Sequence, residues 1–137
     1  MPVVKVWCLP DGLKEDDLRA IHKSIVAEAV AQDVGIKDET TMTVLFPPDM
    51  MKYGLGSEII IEVLTGLFVR QGLGADAREK FAKAMVRAIK KLYPKPMVEC
   101  FIYPFQRRDG FYNCPEGETV PEDRHFNPSL VDRHMTP

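Results

Sequence analysis

The sequence holds no hydrophobic run near the roughly 20 residues a membrane-crossing helix requires, so an integral membrane protein is not expected. It has no basic surplus either. Lysine and arginine number 18 against 20 aspartates and glutamates, a formal charge of −2, whereas a nucleic-acid-binding face wants a basic patch or stripe. No basic stretch followed by an apolar one opens the chain, so no secretory signal is read there. Cysteine is scarce: Cys8, Cys100 and Cys114 are an odd set without close pairing. They read as reduced thiols of a cytoplasmic protein, two of them packed inside strands. There is no glycine-rich phosphate loop after a strand. His125 and His134, each in an Asp-Arg-His triplet, are spaced too widely for a compact ligand set, so no metal is expected. What these absences leave is a small water-soluble domain. Its 137 residues, 45 % hydrophobic and 28 % charged, suffice for a core of its own.

What is present is alternating structure. Residues 2–8 (Pro-Val-Val-Lys-Val-Trp-Cys) are β-branched and aromatic and stop at the turn cluster Pro10-Asp11-Gly12, which predicts a strand. Leu18, Ile21, Ile25, Ala29 and Val30 then recur near helical spacing. Glu15, Asp16 and Asp17 open that helix, where acids suit its dipole, and Gly35 stands as its C-terminal cap. Thr41 to Phe46 predicts a second strand, stopped by Pro47-Pro48. The order then repeats. Glu58 to Thr65 is a strand with room to continue through Leu67 and Phe68. Asp76 and Glu79 match a capping box. Phe81, Met85, Ile89 and Leu92 mark a helix face ended by Pro94 and Pro96, and Met97 to Tyr103 is a last strand. Tight hairpins are expected at Tyr53-Gly54-Leu55-Gly56 and Asp109-Gly110-Phe111-Tyr112.

Two β-α-β units in one chain predict an α/β (α+β) domain: a four-stranded sheet with two helices on one face. The domain is expected over residues 1–114, as repeats 2–56 and 57–114, followed by a polar tail over 115–137. Helices on one side leave the other side of the sheet bare. A chain this small cannot leave a large apolar face in water, so oligomerisation is expected.

A Met-Pro start running straight into a strand, then helix, strand and a Tyr-Gly-Leu-Gly hairpin, all repeated once, resembles the tautomerase superfamily. The first half looks like the subunit of 4-oxalocrotonate tautomerase. The fused arrangement is similar to cis-3-chloroacrylic acid dehalogenase, malonate semialdehyde decarboxylase and macrophage migration inhibitory factor. The resemblance covers residues 2 to about 114. It implies a homotrimer that works on a small carboxylate without a cofactor. It also implies that Pro2, exposed once Met1 is removed, is a catalytic secondary amine. An apolar pocket beside a cation disfavours the charged amine, so a neutral Pro2 can move a proton α to a carbonyl. If Met1 stays, Pro2 is an amide and cannot be the base.

The resemblance also implies arginines for the substrate carboxylate, which their fork geometry fits. Arg70, just after the first strand of the second half, stands in that place, and Arg107 before the second hairpin is a weaker candidate. Tyr53 matches the aromatic that lines the family pocket, and Tyr103 could donate a hydrogen bond to a developing enolate. There are departures. The arginine that follows the first strand in 4-oxalocrotonate tautomerase is replaced by Leu13, that of its second strand by Thr43, and the dehalogenase histidine falls near Ala29. The resemblance therefore implies tautomerase-type proton transfer on a 2-oxo or enol carboxylate. Hydration, dehalogenation or decarboxylation of a related acid, or a non-catalytic trimer, stand as alternatives.

Overall fold

A computed structural model describes residues 2–48, 58–106 and 109. Strand β1 (Val3–Trp7) leads into helix α1 (Glu15–Ala31), a 3-10 turn (Glu39–Thr41) and the short strand β2 (Thr43–Leu45). Strand β3 (Glu58–Thr65) then leads through the one-turn helix α2 (Leu67–Arg70) and α3 (Ala75–Lys90) to strand β4 (Met97–Pro104). The sheet order is β2-β1-β3-β4. β1 pairs parallel with β2, and β3 parallel with β4, because a helix carries the chain back along each unit. The units meet through an antiparallel β1–β3 pair, Val3 opposite Leu64 and Trp7 opposite Ile60.

Period-two alternation decides which face each residue takes. Val4, Val6, Ile59, Ile61 and Val63 point into the core against Ile21, Ile25 and Ala29 of α1 and Phe81, Met85 and Ile89 of α3. The two helices are tied side by side where Ser24 donates to the Ala88 carbonyl at 2.7 Å. Glu28 of α1 also pairs with Lys91 and with Arg87, the latter at 3.5 Å. Phe68 meets Phe81 edge to face, with centroids 5.6 Å apart. The opposite sheet face carries Val3, Lys5, Trp7, Ile60, Glu62 and Leu64, and no helix among the described residues covers it. Phe101 and Tyr103 on that face are 47 % and 48 % exposed.

Four local expectations are corrected. Helix α1 ends at Ala31, and Asp33, not Gly35, is the first left-handed residue after it, at φ 53°. Gly35 is left-handed as well, at φ 95°, but serves another purpose. A side chain there would come within 3.0 Å of Gln71 and 3.4 Å of Leu67, so the glycine lets this loop lie against α2. The strand expected over Thr41 to Phe46 is shorter, Thr43–Leu45: Thr41 instead ends a helical turn, Glu39–Thr41, started where the Asp38 carboxylate accepts the Thr40 N–H at 2.8 Å. β3 does not run on through Leu67 and Phe68: the buried Thr65 hydroxyl accepts the Leu67 N–H at 2.9 Å and starts α2. The cap of α3 is Gly74, with no side-chain bond, and Glu79 pairs with Lys83 along the helix instead of closing a capping box. The predicted hairpins, Asp109 apart, fall outside the described residues.

Candidate active site

The topology sends both ends of chemical interest to one edge of the molecule. β1 starts there, and β3 and β4 end there. Pro2 is buried and lies in the same alternation as Val4 and Val6. Its carbonyl accepts the Thr43 N–H at 2.9 Å, which fixes the chain start against the start of β2. One residue beyond the Val3–Leu64 pair on β3 comes Thr65, 0 % exposed. Its carbonyl accepts the Phe105 N–H at 3.1 Å. Gly66 follows, with the Phe105 backbone so close that a side chain there would meet its oxygen at 3.1 Å. Pro2, Thr65, Gly66 and Phe105 thus close one end of the sheet.

Arg70 follows Gly66 along the chain. It is the last residue of α2, anchored by its N–H to the Gly66 carbonyl at 3.0 Å. Its side chain is half-buried, and its Nε is fully buried with no hydrogen-bond partner among the described residues. An orphaned buried guanidinium nitrogen costs about 1–3 kcal/mol, and an incoming acceptor relieves that cost. Leu67, Phe68 and Val69 are buried before it, so α2 is held by its apolar residues while Arg70 remains at its end.

The remaining expectations divide. Tyr103 reaches the same end on β4, but opposite Leu64, on the bare face of the sheet rather than in the Pro2 row. Tyr53 and Arg107 lie outside the described residues, as do Cys114, His125 and His134. Ala29, where the dehalogenase histidine would fall, is wholly buried in the core. Cys100 packs against the core from β4, and burial pushes its thiol up to about 12, which removes it as a nucleophile at neutral pH. Among the described residues an open groove of about 540 Å³ runs between the end of α1 and the start of α3, lined by Gln32, Asp33, Leu73, Asp76 and Lys80. It includes neither Pro2 nor Arg70. Thr65 and Phe105 were not foreseen from the sequence. The Thr-Gly step at the end of an apolar strand is the signal that could have revealed the first.

No family model matches the chain, and no curated protein matches it by sequence. Solved structures do match. A fused 4-OT, an asymmetric trimer, aligns with TM-score 0.60 at 12 % identity over 75 % of this chain and 85 % of that one. A member of the cis-3-chloroacrylic acid dehalogenase family aligns with TM-score 0.57 at 11 % identity over 96 % of each chain. Malonate semialdehyde decarboxylase aligns with TM-score 0.54 at 13 % identity over 83 % of this chain and 91 % of that one. Among the described residues no helix is long and apolar enough to cross a membrane. The four-stranded sheet of two β-α-β units under two helices is a tautomerase-like fold, shared with these structures.

Proposed function

We propose that the chain is a cofactor-free tautomerase in which Pro2, freed by removal of Met1, carries a proton between carbon and oxygen of a small 2-oxo or enol carboxylate. The observations that support this reading are a buried Pro2 at the start of β1 and an Arg70 whose buried Nε has no partner among the described residues. A buried amine is disfavoured in its charged form, more so with a cation near it, so a freed Pro2 would be available as a base near neutral pH. The amine takes the proton α to the carbonyl while Arg70 holds the carboxylate, and it returns the proton at the other end of the enol. Tyr103, Tyr53 and Arg107 are assigned to the substrate side of the site. Tyr103 sits on the bare face, so it would serve a pocket completed by a neighbouring copy. We assign that face to contact between copies in a homotrimer. Its exposed Leu45, Met97, Phe101 and Tyr103 support this, as does the trimeric 4-OT of the same fold.

The dehalogenase-family and decarboxylase neighbours favour a second reading, in which Pro2 remains protonated and acts as an acid on an unsaturated or β-keto acid. Phenylenolpyruvate ketonisation by the full chain and by Pro2→Ala tests the proposal. Loss of about two to four orders of magnitude in kcat on substitution, the range of general acid–base catalysis, is expected. A rate that rises with pH as the amine deprotonates separates the base from the acid. Activity indifferent to Pro2→Ala contradicts both readings.

A further inference from the structure

Among the described residues the core holds one buried polar side chain, that of Thr65, which is 0 % exposed. A hydroxyl there costs free energy unless it is bonded, and valine has nearly the same shape without that cost. Thr65 ends the inward row Ile59, Ile61 and Val63 of β3, inside an apolar run from Val63 to Val69 that only Thr65 and Gly66 interrupt. Its backbone is fixed by β4: Thr65 pairs with Pro104, and its carbonyl accepts the Phe105 N–H at 3.1 Å. Its hydroxyl accepts the Leu67 N–H at 2.9 Å, and with that bond the chain leaves the strand for α2.

Helix α2 depends on such an anchor. A single turn fixes several backbone dihedrals for very few helical bonds, so it does not hold itself. Its N-cap, Gly66, has no side chain to contribute. Buried Leu67, Phe68 and Val69 press α2 onto the core, but the residue at which it starts decides where its last residue points. Successive helical residues turn by about 100°, so a start one residue later would swing Arg70 by that much. An arginine whose Nε is buried without a partner among the described residues is not free to search for its ligand, and α2 sets its placement. We propose that Thr65 is a positioning residue for Arg70: its hydroxyl sets where α2 begins, and so the direction in which the guanidinium meets the substrate carboxylate. The inference rests on the function proposed above, in which Arg70 holds that carboxylate.

Steady-state phenylenolpyruvate ketonisation by Thr65→Val and Thr65→Ser, and by Thr65→Val in the Arg70→Lys background, tests it. Valine keeps the branched shape and loses the acceptor, whereas serine keeps the acceptor. Expected for Thr65→Val is a KM raised by about tenfold, as for a charge-assisted bond no longer made, with kcat changed by less than about twofold. Thr65→Ser should keep the wild-type KM. In the Arg70→Lys background Thr65→Val should raise KM by less than about twofold, because a residue that acts through Arg70 has little left to place. A KM unmoved by Thr65→Val, or raised as much in the Arg70→Lys background, overturns the inference while Pro2-dependent activity leaves the proposed function standing. Ketonisation indifferent to Pro2→Ala contradicts that function, and this role with it. Circular dichroism separates misplacement from unfolding; should Thr65→Val not fold, Thr65→Ala, which lacks the same hydroxyl, carries the same expectations.

Discussion

At Arg70 a guanidinium Nε is buried without a partner among the described residues, on a helix of a single turn. The cost of that arrangement is tolerable if an anion regularly fills it. Replacement by lysine keeps the charge and loses the fork. A charge-assisted bond is worth about 1.5–3 kcal/mol, so Arg70→Lys should lower kcat/KM by about ten- to a hundredfold, mainly through KM. Steady-state ketonisation kinetics check this; an unchanged KM removes Arg70 from the substrate. The family resemblance singled out Arg70 as following the third strand; that it closes a one-turn helix after that strand was not legible. Nor was its orphaned Nε, since that depends on which atoms of α2 and its surroundings come within reach. The same holds for Tyr103. Its position late in β4 could be read from the strand pattern, but its place on the face away from Pro2 follows from the register with Leu64.

At the scale of elements, two joints position the site. The first is the loop around Gly35 against α2, which accepts no side chain without pushing Gln71 and Leu67. Gly35→Ala would also place a Cβ at φ 95°, a strain of about 1–3 kcal/mol. It should lower the thermal midpoint, measured by calorimetry, and raise KM together with it, because α2 carries Arg70. The second joint is the α1–α3 seam. There Lys91, and more weakly Arg87, holds the Glu28 carboxyl below its ordinary value. The depressed value means the contribution is present at neutral pH and is lost as pH falls through the folded-state titration. Glu28 is only 12 % exposed, but Lys91 and Arg87 are 60 % and 53 % exposed, so the pair is screened. Glu28→Gln should therefore cost no more than about 1 kcal/mol at pH 7, and chemical denaturation should show that the cost vanishes in acid. An undiminished cost in acid would assign Glu28 a packing role instead.

Strand β3 and both long helices could be read from periodicity because a half-buried surface imposes its period on the residues that build it. The turn at Thr65 could not. Leu67, Phe68 and Val69 are all apolar because α2 is buried on every side, and a fully buried turn has no polar face to reveal its period. The caps failed for a related reason. Asp76 and Glu79 have the right chemistry and spacing, but the chain enters α3 earlier, at Gly74, and leaves both acids inside the helix.

For the molecule as a whole, duplication explains most of what was legible. Two similar units, each closing a parallel strand pair with a helix, must join through their first strands, and β1–β3 does so antiparallel. The bare face follows from the same arithmetic of layers, and its acids at alternate strand positions, Glu58, Glu62 and Glu99, mark it in the sequence. That Glu58 and Glu99 are diagonal neighbours needs the register. On the proposed assembly, Tyr103 lies on the face assigned to contact between copies.

The central claim, an N-terminal proline base, depends on a covalent fact that intact-mass measurement of the purified protein reads directly. The account predicts a chain lighter than the encoded one by one methionine residue, its first residue the secondary amine of Pro2. A mass that retains Met1 would make the Pro2 nitrogen an amide and contradict the account, leaving the fold without its proposed base.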